Sequence, residues 1–352
     1  MRTSGVYVNI TSDNESNTLE CAGATIRAEG ISRSFGKIKA LDDLSLTVDP
    51  GTVFALLGPN GSGKTTTVRI LTTLLHPDSG FAYVGDYDVV KQPQSVRSII
   101  GLAGQYPAVD EDLTGKENLE MIGRLYHLGK KIAKIRSIEL LEVFDLADAA
   151  NRRVKTYSGG MRRRLDLAAT LVAKPPILFL DEPTTGLDPR SRLGLWDVIS
   201  EQSKNCNTVF LTTQNLEEAD RLADKIAIMD NGKIIQEGTS QELKEYCGGS
   251  SQVKIKLVDR SRTVKAVEIL RDLSEEPIYN VPETGEISLP ATSGTSILAD
   301  VVRRMDASGM VLAEVGIKQP TLDDVFLSIT GHVADYADKV DESSSDVISE
   351  KR

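Results

Sequence analysis

The stretch Gly58-Pro59-Asn60-Gly61-Ser62-Gly63-Lys64-Thr65-Thr66 decides how the rest of the chain is interpreted. It fits the phosphate-loop pattern, in which two glycines five residues apart precede a lysine and a hydroxyl residue. The largely apolar residues 52–57 before it predict a buried strand, and residues 65–74 after it can form a helix. A glycine turn at a helix N-terminus directs backbone N–H groups towards one point, where the helix dipole favours an anion. The alternative is a tight turn that binds nothing.

The loop predicts a site for the phosphates of a nucleotide. We expect all nine residues of the stretch to line it. In this pattern the side chain of Lys64 reaches the β- and γ-phosphates, and the Thr65 hydroxyl binds Mg²⁺. ATP and Mg²⁺ are therefore the expected ligands.

Length and composition limit the class of protein. The chain has 352 residues, which allows two domains, with 40% hydrophobic and 26% charged residues. It contains no run of about 18 apolar residues, so we expect no membrane span. The polar residues 11–17 do not resemble a signal peptide, and the three cysteines lack the spacing of a metal or redox site. These features favour a reducing, cytoplasmic location. The net charge of −10 argues against nucleic-acid binding.

Changes in pattern divide the chain into four parts. Residues 1–23 are polar and predict a disordered tail, and residues 333–352 predict a second, acidic one. Residues 24–247 contain the loop, preceded by alternating segments that predict an antiparallel layer. After a linker at 248–251, residues 250–332 predict a smaller α+β unit. Its order of strand, helix, strand, strand, helix, strand is ferredoxin-like.

Asp181 and Glu182 follow the four apolar residues 177–180, which predict a buried parallel strand. An acid at such a strand end can hold Mg²⁺ or its water, so Asp181 is a candidate metal ligand. Glu182 is then a candidate general base for the water that attacks the γ-phosphate. The alternative is a pair of acids that only cap a helix. A phosphate loop in the same chain favours the metal-binding interpretation, because such loops use an acid of this kind for the metal.

Ser158, Gly159 and Gly160 precede a predicted amphipathic helix. Ser158 can cap that helix, and the two glycines allow a phosphate to approach the backbone closely. A good helix start without a ligand is the simpler interpretation of these residues alone. For Arg162, Arg163 and Arg164 we expect a solvated face in preference to a phosphate patch.

Five motifs together carry a family resemblance: residues 58–66, Gln105, residues 158–161, residues 181–183 and residues 186–189. In this order they resemble the ATP-binding subunit of an ABC transporter over about residues 24–245. Residues 161–168, Gln214 and residues 320–326 are most similar to the ATPases of daunorubicin/doxorubicin-resistance-type exporters. The resemblance implies an α/β P-loop NTPase fold with an antiparallel β layer and a helical subdomain at about residues 106–175. The C-terminal α+β domain is additional to this fold.

The resemblance also implies roles for residues outside the loop. Phe35 would stack on adenine, although a buried phenylalanine is the alternative. Gln105 would touch Mg²⁺ and the attacking water. Ser158, Gly159 and Gly160 would bind the γ-phosphate of ATP held by a second copy of the chain, and Asp188 would lie across that dimer interface.

The sequence departs from the family pattern at two positions. Tyr157 stands where leucine usually begins the signature, and we expect it to serve packing. Gln214 replaces the family's switch histidine. A glutamine amide can donate a hydrogen bond to a phosphate oxygen, but it cannot take a proton, so Glu182 is left as the candidate base.

These observations predict an ATP-hydrolysing subunit that powers the export of a drug-like or lipid-like compound. The resemblance implies a homodimer of ATP-binding subunits, a separate transmembrane permease and a peripheral position at the cytoplasmic face of the membrane. The alternatives are an ABC ATPase without a transport role and a nucleotide-binding regulatory module. Nothing in the sequence identifies the cargo.

Overall fold

The computed structural model describes residues 24–105, 108–246, 252–274, 278–281, 284–290, 296–318 and 321–330. The two predicted tails and the predicted linker at 248–251 lie outside these residues. Within the described ranges, no helix combines the length and the apolar character needed to cross a membrane.

Strands and helices alternate through most of the described chain. The strands are β1 (Ile26–Phe35), β2 (Ile38–Val48), β3 (Val53–Leu57), β4 (Ser79–Val84), β5 (Tyr87–Asp88), β6 (Ile100–Ala103), β7 (Ile177–Asp181), β8 (Thr208–Thr213), β9 (Lys225–Asp230), β10 (Lys233–Gly238), β11 (Gln252–Leu257), β12 (Tyr279–Val281), β13 (Glu286–Pro290) and β14 (Leu312–Lys318). The helices are α1 (Lys64–Leu71), α2 (Pro93–Ile99), α3 (Gly115–Leu125), α4 (Lys130–Val143), α5 (Gly159–Thr170), α6 (Pro189–Lys204), α7 (Leu216–Leu222), α8 (Ser240–Tyr246), α9 (Thr263–Leu270), α10 (Ser296–Ala307) and α11 (Leu322–Thr330).

The antiparallel layer predicted ahead of the loop is present in β1 and β2. Its sheet has the order β2-β1-β4-β5, so it also includes two strands that follow the loop, which the sequence did not assign to this layer. Its strands alternate buried apolar residues with more exposed ones. Ile26 and Ala28 of β1, for example, point inwards, and the residues that follow each of them are exposed. One face of this sheet therefore packs on the second sheet and the other meets solvent.

The second sheet has the order β10-β9-β3-β8-β7-β6, with β3 near its centre. All of β3, β7 and β8 is buried, because the sheet is covered on both faces. The side chains of Phe54, Phe210 and Phe179 pack in a row on the face towards the antiparallel sheet, with adjacent ring centroids 5.5 Å apart. Val53, Ala55 and the other alternate residues point to the opposite core, beneath the helices.

The parallel strands β3, β8, β7 and β6 are neighbours, so their carboxyl ends meet at one edge of the sheet. Ligands of open α/β sheets bind at such an edge. The described part of residues 106–175 is mainly helical. There a capping box opens α3: Thr114 accepts a hydrogen bond from the Glu117 N–H, and the Glu117 carboxylate accepts one from Thr114 N.

The segment from β11 to β14 forms a four-stranded antiparallel sheet in the order β12-β13-β11-β14. Helices α9 and α10 pack with it around a separate core, which includes Ile255, Leu289, Val301 and Met305. The predicted order of strand, helix, strand, strand, helix, strand is confirmed.

The last helix, α11, returns to the core of the N-terminal unit (residues 24–246). Its buried side chains Leu322, Val325 and Phe326 share a core with residues of α7 and α8, among them Leu216 and Leu243. Thr321 caps the helix by accepting a hydrogen bond from the Asp324 N–H at 3.3 Å. The chain therefore contributes to the first core both before and after the C-terminal sheet.

Two local expectations are wrong. The helix predicted over residues 65–74 ends at Leu71, because Thr73 adopts a left-handed backbone conformation (φ 66°). Cys206 is disulfide-bonded, although spacing along the chain gave no reason to expect pairing. Pairing requires two Cα atoms to fold to within about 7 Å of each other, which sequence spacing does not fix.

Phe326→Ala should destabilise the N-terminal unit by about 3–5 kcal/mol, because it removes a buried ring from that core. Urea denaturation followed by Trp196 fluorescence measures this directly, since Trp196 is the only tryptophan and lies in the same core. Leu327→Ala is the matched control, because Leu327 is 48% exposed. Equal unfolding midpoints for the two variants would contradict the packing of α11.

Candidate functional site

The loop after β3 approaches neighbouring backbone so closely that two of its positions exclude any side chain. A Cβ added at Gly58 would lie 2.3 Å from the carbonyl oxygen of Met229. A Cβ added at Gly63, where φ is 114°, would lie 2.6 Å from the carbonyl oxygen of Ala40. Both distances are shorter than any van der Waals contact, so glycine is required on steric grounds.

The loop leads directly into the N-terminus of α1, which carries no acidic residue in its first turn. The first N–H groups of a helix have no partner within the helix. Beside them the hydroxyl of Ser62 is buried without a hydrogen-bond partner. Asn60 and Gly61 form the exposed tip of the loop, and Thr66 is half-buried on α1. Unpaired donors around a glycine turn suit a bound phosphate.

Lys64 is almost completely buried and lies among oxygen atoms. Its Nζ donates hydrogen bonds to the carbonyl oxygens of Gly58 (2.8 Å) and Pro59 (3.0 Å) and lies 3.4 Å from Glu182 Oε1. Burial lowers the pKa of Lys64 from its ordinary value, and the charges of Glu182 and Asp181 oppose that shift. The site thus holds an ion pair between Lys64 and Glu182, with the charge of Asp181 close enough to act on the lysine.

Oxygen atoms from three segments converge beside the lysine. Asp181 Oδ1 accepts hydrogen bonds from the Thr212 hydroxyl at 2.5 Å and from the Thr65 hydroxyl at 3.3 Å. The amide of Gln105 donates to Thr65 Oγ1 at 3.1 Å. Carboxylate, hydroxyl and amide oxygens are ligands that Mg²⁺ accepts, so Thr65, Gln105 and Asp181 fit that ion by chemistry and proximity.

Glu182 adopts an unusual backbone conformation for a residue other than glycine, with φ at 49°. Such left-handed residues cost about 1–3 kcal/mol and persist only where neighbouring contacts hold them. Here the Glu182 N–H donates to both the carbonyl oxygen and the hydroxyl of Thr212, at 3.0 and 3.1 Å. The carboxylate meets Lys64 through Oε1 and accepts from the Thr185 hydroxyl through Oε2.

Ser158, Gly159, Gly160 and Asp188 form a second, separate cluster. Ser158 caps α5 as predicted, accepting from the Met161 N–H at 3.2 Å. Asp188 caps α6, and hydrogen bonds from the hydroxyl and N–H of Ser191 lower its pKa. Both caps face solvent. Among the described residues, no hydrogen bond or ion pair joins this cluster to the Lys64 loop.

Phe35 and Gln214 are less tightly held than the acids and Lys64, since one is exposed and the other only half-buried. Phe35 is 46% exposed at the end of β1, with the guanidinium carbon of Arg33 5.2 Å from its ring centroid. The alternative of a core phenylalanine is therefore wrong. Gln214 directly follows β8, whose last carbonyl accepts a hydrogen bond from Gly58 N, and it is half-buried. Tyr157 is buried and donates to the Ala149 carbonyl, which agrees with a packing role.

Sequence reasoning missed two residues of this region. Arg163, expected on a solvated face, is 8% exposed, because its guanidinium turns inwards to the carbonyl oxygens of Asp181, Glu182 and Pro183. Thr212 holds both Asp181 and Glu182. A polar residue near the end of an apolar strand was the signal for Thr212. No sequence signal distinguishes Arg163 from its two neighbouring arginines.

Comparisons with known proteins support these observations. The family model described as "ABC transporter" matches residues 41–185. The chain is 48% identical over 88% of its length to the daunorubicin resistance ATP-binding protein DrrA2 of Streptomyces coeruleorubidus, of which it covers 96%. It is 47% identical over 86% of its length to the doxorubicin resistance ATP-binding protein DrrA of Mycobacterium tuberculosis (strain CDC 1551 / Oshkosh), of which it covers 92%.

Solved structures agree in fold. The ATP-binding subunit of an ABC transporter superposes with a TM-score of 0.59 at 27% identity, over 63% of this chain and 93% of the other. The ADP conformation of an ATP-binding cassette of an ABC transporter gives a TM-score of 0.56 at 28% identity, over 62% and 92%.

Glu218 is a buried acid on the first turn of α7, close to the site. It is 1% exposed, and its Oε1 accepts a hydrogen bond from Trp196 Nε1 at 3.0 Å. Burial raises the pKa of Glu218 above its ordinary value of 4.5. The stability that this group contributes is therefore complete below about pH 4.5 and is lost as the pH rises through the folded-state pKa.

Glu218→Gln should gain stability relative to the unmodified chain as the pH rises from about 5 to 8, because glutamine accepts the same hydrogen bond and does not titrate. Urea denaturation at several pH values measures the difference. The exposed neighbour Glu217, changed to glutamine, should show no such trend. A difference for Glu218→Gln that does not vary with pH would contradict the buried, proton-holding carboxyl.

Proposed function

The chain belongs to the ATP-binding subunits of ABC transporters, and on that basis we propose that its ATP hydrolysis powers the export of a drug-like or lipid-like compound through a separate membrane permease. The convergence of Lys64, Thr65, Asp181 and Glu182 at one sheet edge carries the catalytic part of this proposal. The similarity to daunorubicin and doxorubicin resistance proteins over most of their length supports export.

ATP would bind with its phosphates against residues 58–66 and its adenine on the exposed ring of Phe35. The steric requirement for glycine at positions 58 and 63 and the unpaired Ser62 hydroxyl support this placement. Thr65, Gln105 and Asp181 would hold Mg²⁺, which neutralises charge on the phosphates when bound.

Glu182 would act as the general base. Its carboxylate would take the proton of a water whose oxygen attacks the γ-phosphorus, while the bond to the bridging oxygen breaks and ADP leaves. Lys64, which lies 3.4 Å from that carboxylate, would stabilise the negative charge of the phosphoryl group. The Gln214 amide would donate a hydrogen bond to a γ-phosphate oxygen and take no proton.

A second copy of the chain would complete the site. ABC cassettes act as dimers with membrane permeases. Here Ser158 and Gly159 are exposed at the N-terminus of the twelve-residue helix α5, and they make no hydrogen bond to the described loop of their own chain. We assign them, with Gly160, to the γ-phosphate of ATP on the partner copy. Asp188 would lie at the interface between the copies.

The permease would hold the chain at the cytoplasmic face of the membrane. Helices α3 and α4 expose apolar side chains that the N-terminal unit does not cover, including Met121, Leu125, Ile132, Ile135 and Ile138. An exposed apolar surface of this kind suits contact with another protein. We therefore place the permease contact on this helical subdomain.

Glu182→Gln should lower ATP turnover by about 10²–10⁴-fold while ATP still binds, because the variant loses the base and keeps the loop. Phosphate release measures turnover, and a fluorescent ATP analogue measures binding. Glu217→Gln serves as the exposed control. Normal turnover in Glu182→Gln would remove Glu182 from the role of base.

The permease can be sought as a protein with about six apolar spans of membrane length encoded by a neighbouring reading frame. Co-expression with that permease should raise phosphate release and give ATP-dependent export of apolar drugs from loaded cells. Lys64→Ala, which removes the buried cation, should abolish export. Turnover that the permease does not change, together with absent export, would contradict the transport role. It would favour an ATPase without a transport function. Very low turnover both with and without the permease would favour a regulatory module, the alternative that Gln214 suggests.

A further inference from the structure

Arg163, on α5, uses every N–H group of its guanidinium. Nε donates to the Pro183 carbonyl at 2.9 Å, and Nη2 donates to the carbonyls of Asp181 (3.0 Å) and Glu182 (3.1 Å). Nη1 donates to the Gly104 carbonyl at 2.5 Å and to Asp166 Oδ2 at 3.4 Å. One buried side chain therefore holds the strand end that carries both acids.

Asp166 extends these contacts to the other side of the Gln105 loop. It lies almost one turn after Arg163, is 2% exposed, and accepts a hydrogen bond from the Ala108 N–H at 2.7 Å. Arg163 contacts Gly104, which immediately precedes Gln105. The pair therefore contacts both flanks of the segment that carries Gln105.

We propose that Arg163, held by Asp166, is a positioning residue that transmits the placement of α5 to Glu182 and to the Gln105 loop. The same helix begins at the Ser158–Gly160 motif, so a shift of that motif would move the guanidinium and, through it, the carbonyls on either side of Glu182. This inference rests on the proposed roles of Glu182 and Gln105.

The geometry explains why the backbone of Glu182 needs such a contact. Glu182 is left-handed at φ 49°, and the Asp181 and Glu182 carbonyls lie on either side of this unusual backbone position. The Glu182 carbonyl also accepts a hydrogen bond from the Thr185 N–H at 3.3 Å, so Arg163 adds a second donor there. Buried carbonyl groups require hydrogen-bond donors. Arg163 satisfies three consecutive carbonyls at once, which fixes the orientation of the peptide planes around Glu182.

The contacts with these carbonyls require donors on three nitrogen atoms of one planar group, which among side chains only the arginine guanidinium provides. Lysine keeps the positive charge but offers three donors from a single atom, so it cannot reach Pro183, Gly104 and Glu182 together. Arg163→Lys therefore separates the loss of positioning from the loss of charge.

The neighbouring Arg164 provides a matched control. It lies on the same helix, is partly buried and also donates to carbonyl oxygens, those of Phe144 (2.9 Å) and Asp145 (3.3 Å). Both acceptors belong to the helical subdomain. Arg164→Lys thus tests for general destabilisation of α5 without touching the strand end.

The experiment compares Arg163→Lys, Arg164→Lys and Glu182→Gln in the full chain. It measures kcat and KM from phosphate release, the Kd of ATP from a fluorescent analogue and the thermal midpoint. We expect Arg163→Lys to lower kcat by about 10–100-fold, because small displacements of catalytic groups have effects of that size. The Kd of this variant for ATP should stay within about threefold of that of the unmodified chain, since Arg163 does not contact residues 58–66. Arg164→Lys should retain kcat.

Four results would overturn the inference or its premise. If Arg163→Lys retains kcat while Glu182→Gln has lost it, the positioning role fails and the proposed function stands. If Arg163→Lys loses ATP binding and thermal stability in proportion to kcat, or Arg164→Lys loses kcat equally, Arg163 serves only to stabilise the fold. Normal turnover in Glu182→Gln would instead remove the proposed role of Glu182, on which the inference depends.

Discussion

The parallel register of β3, β8, β7 and β6 is the constraint on which the site depends. Leu57 pairs with Thr213, Asp181 with Thr212 and Ala103 with Leu180. The residues that follow these strand ends are the phosphate loop, Gln214, Glu182 and Gln105, so the ladder alone brings four separate segments together. A slip of one residue in any strand would also turn its buried side chains to the other face, and both faces are core.

The register places the charged side chains of Lys64 and Asp181 in a buried position, away from bulk water. Lys64 is buried between the loop carbonyls and Glu182, and a low-dielectric setting strengthens each of these interactions. Such a site orients its charges before the substrate arrives, which is the main way in which proteins stabilise a developing phosphoryl charge. Thr212 and Arg163 contact the backbone of Asp181 and Glu182 from two sides. The positions of the two acids therefore depend on neighbours to which we assign no chemical step.

The local parts of this arrangement could be predicted from sequence. The glycine loop, the Ser158 cap of α5 and the element order of the C-terminal sheet all depend on residues near one another in the chain, and the structure contains each of them. The features that the sequence did not predict depend on tertiary contacts. In the sequence, Arg163 cannot be distinguished from its neighbouring arginines, because the carbonyls that it contacts come from two segments distant in the chain. The disulfide of Cys206 and the return of α11 depend likewise on which surfaces meet.

The return of α11 makes the C-terminal sheet an insertion between two packed helices. The chain leaves the N-terminal unit after α8 and re-enters it at α11, and these two helices touch. The closure entropy of a flexible loop grows only logarithmically with its length, by about 0.6 kcal/mol for each doubling. A longer, shorter or different inserted sheet therefore changes the closure entropy little, whereas the buried residues of α11, Leu322, Val325 and Phe326, must stay matched to the surface that they cover.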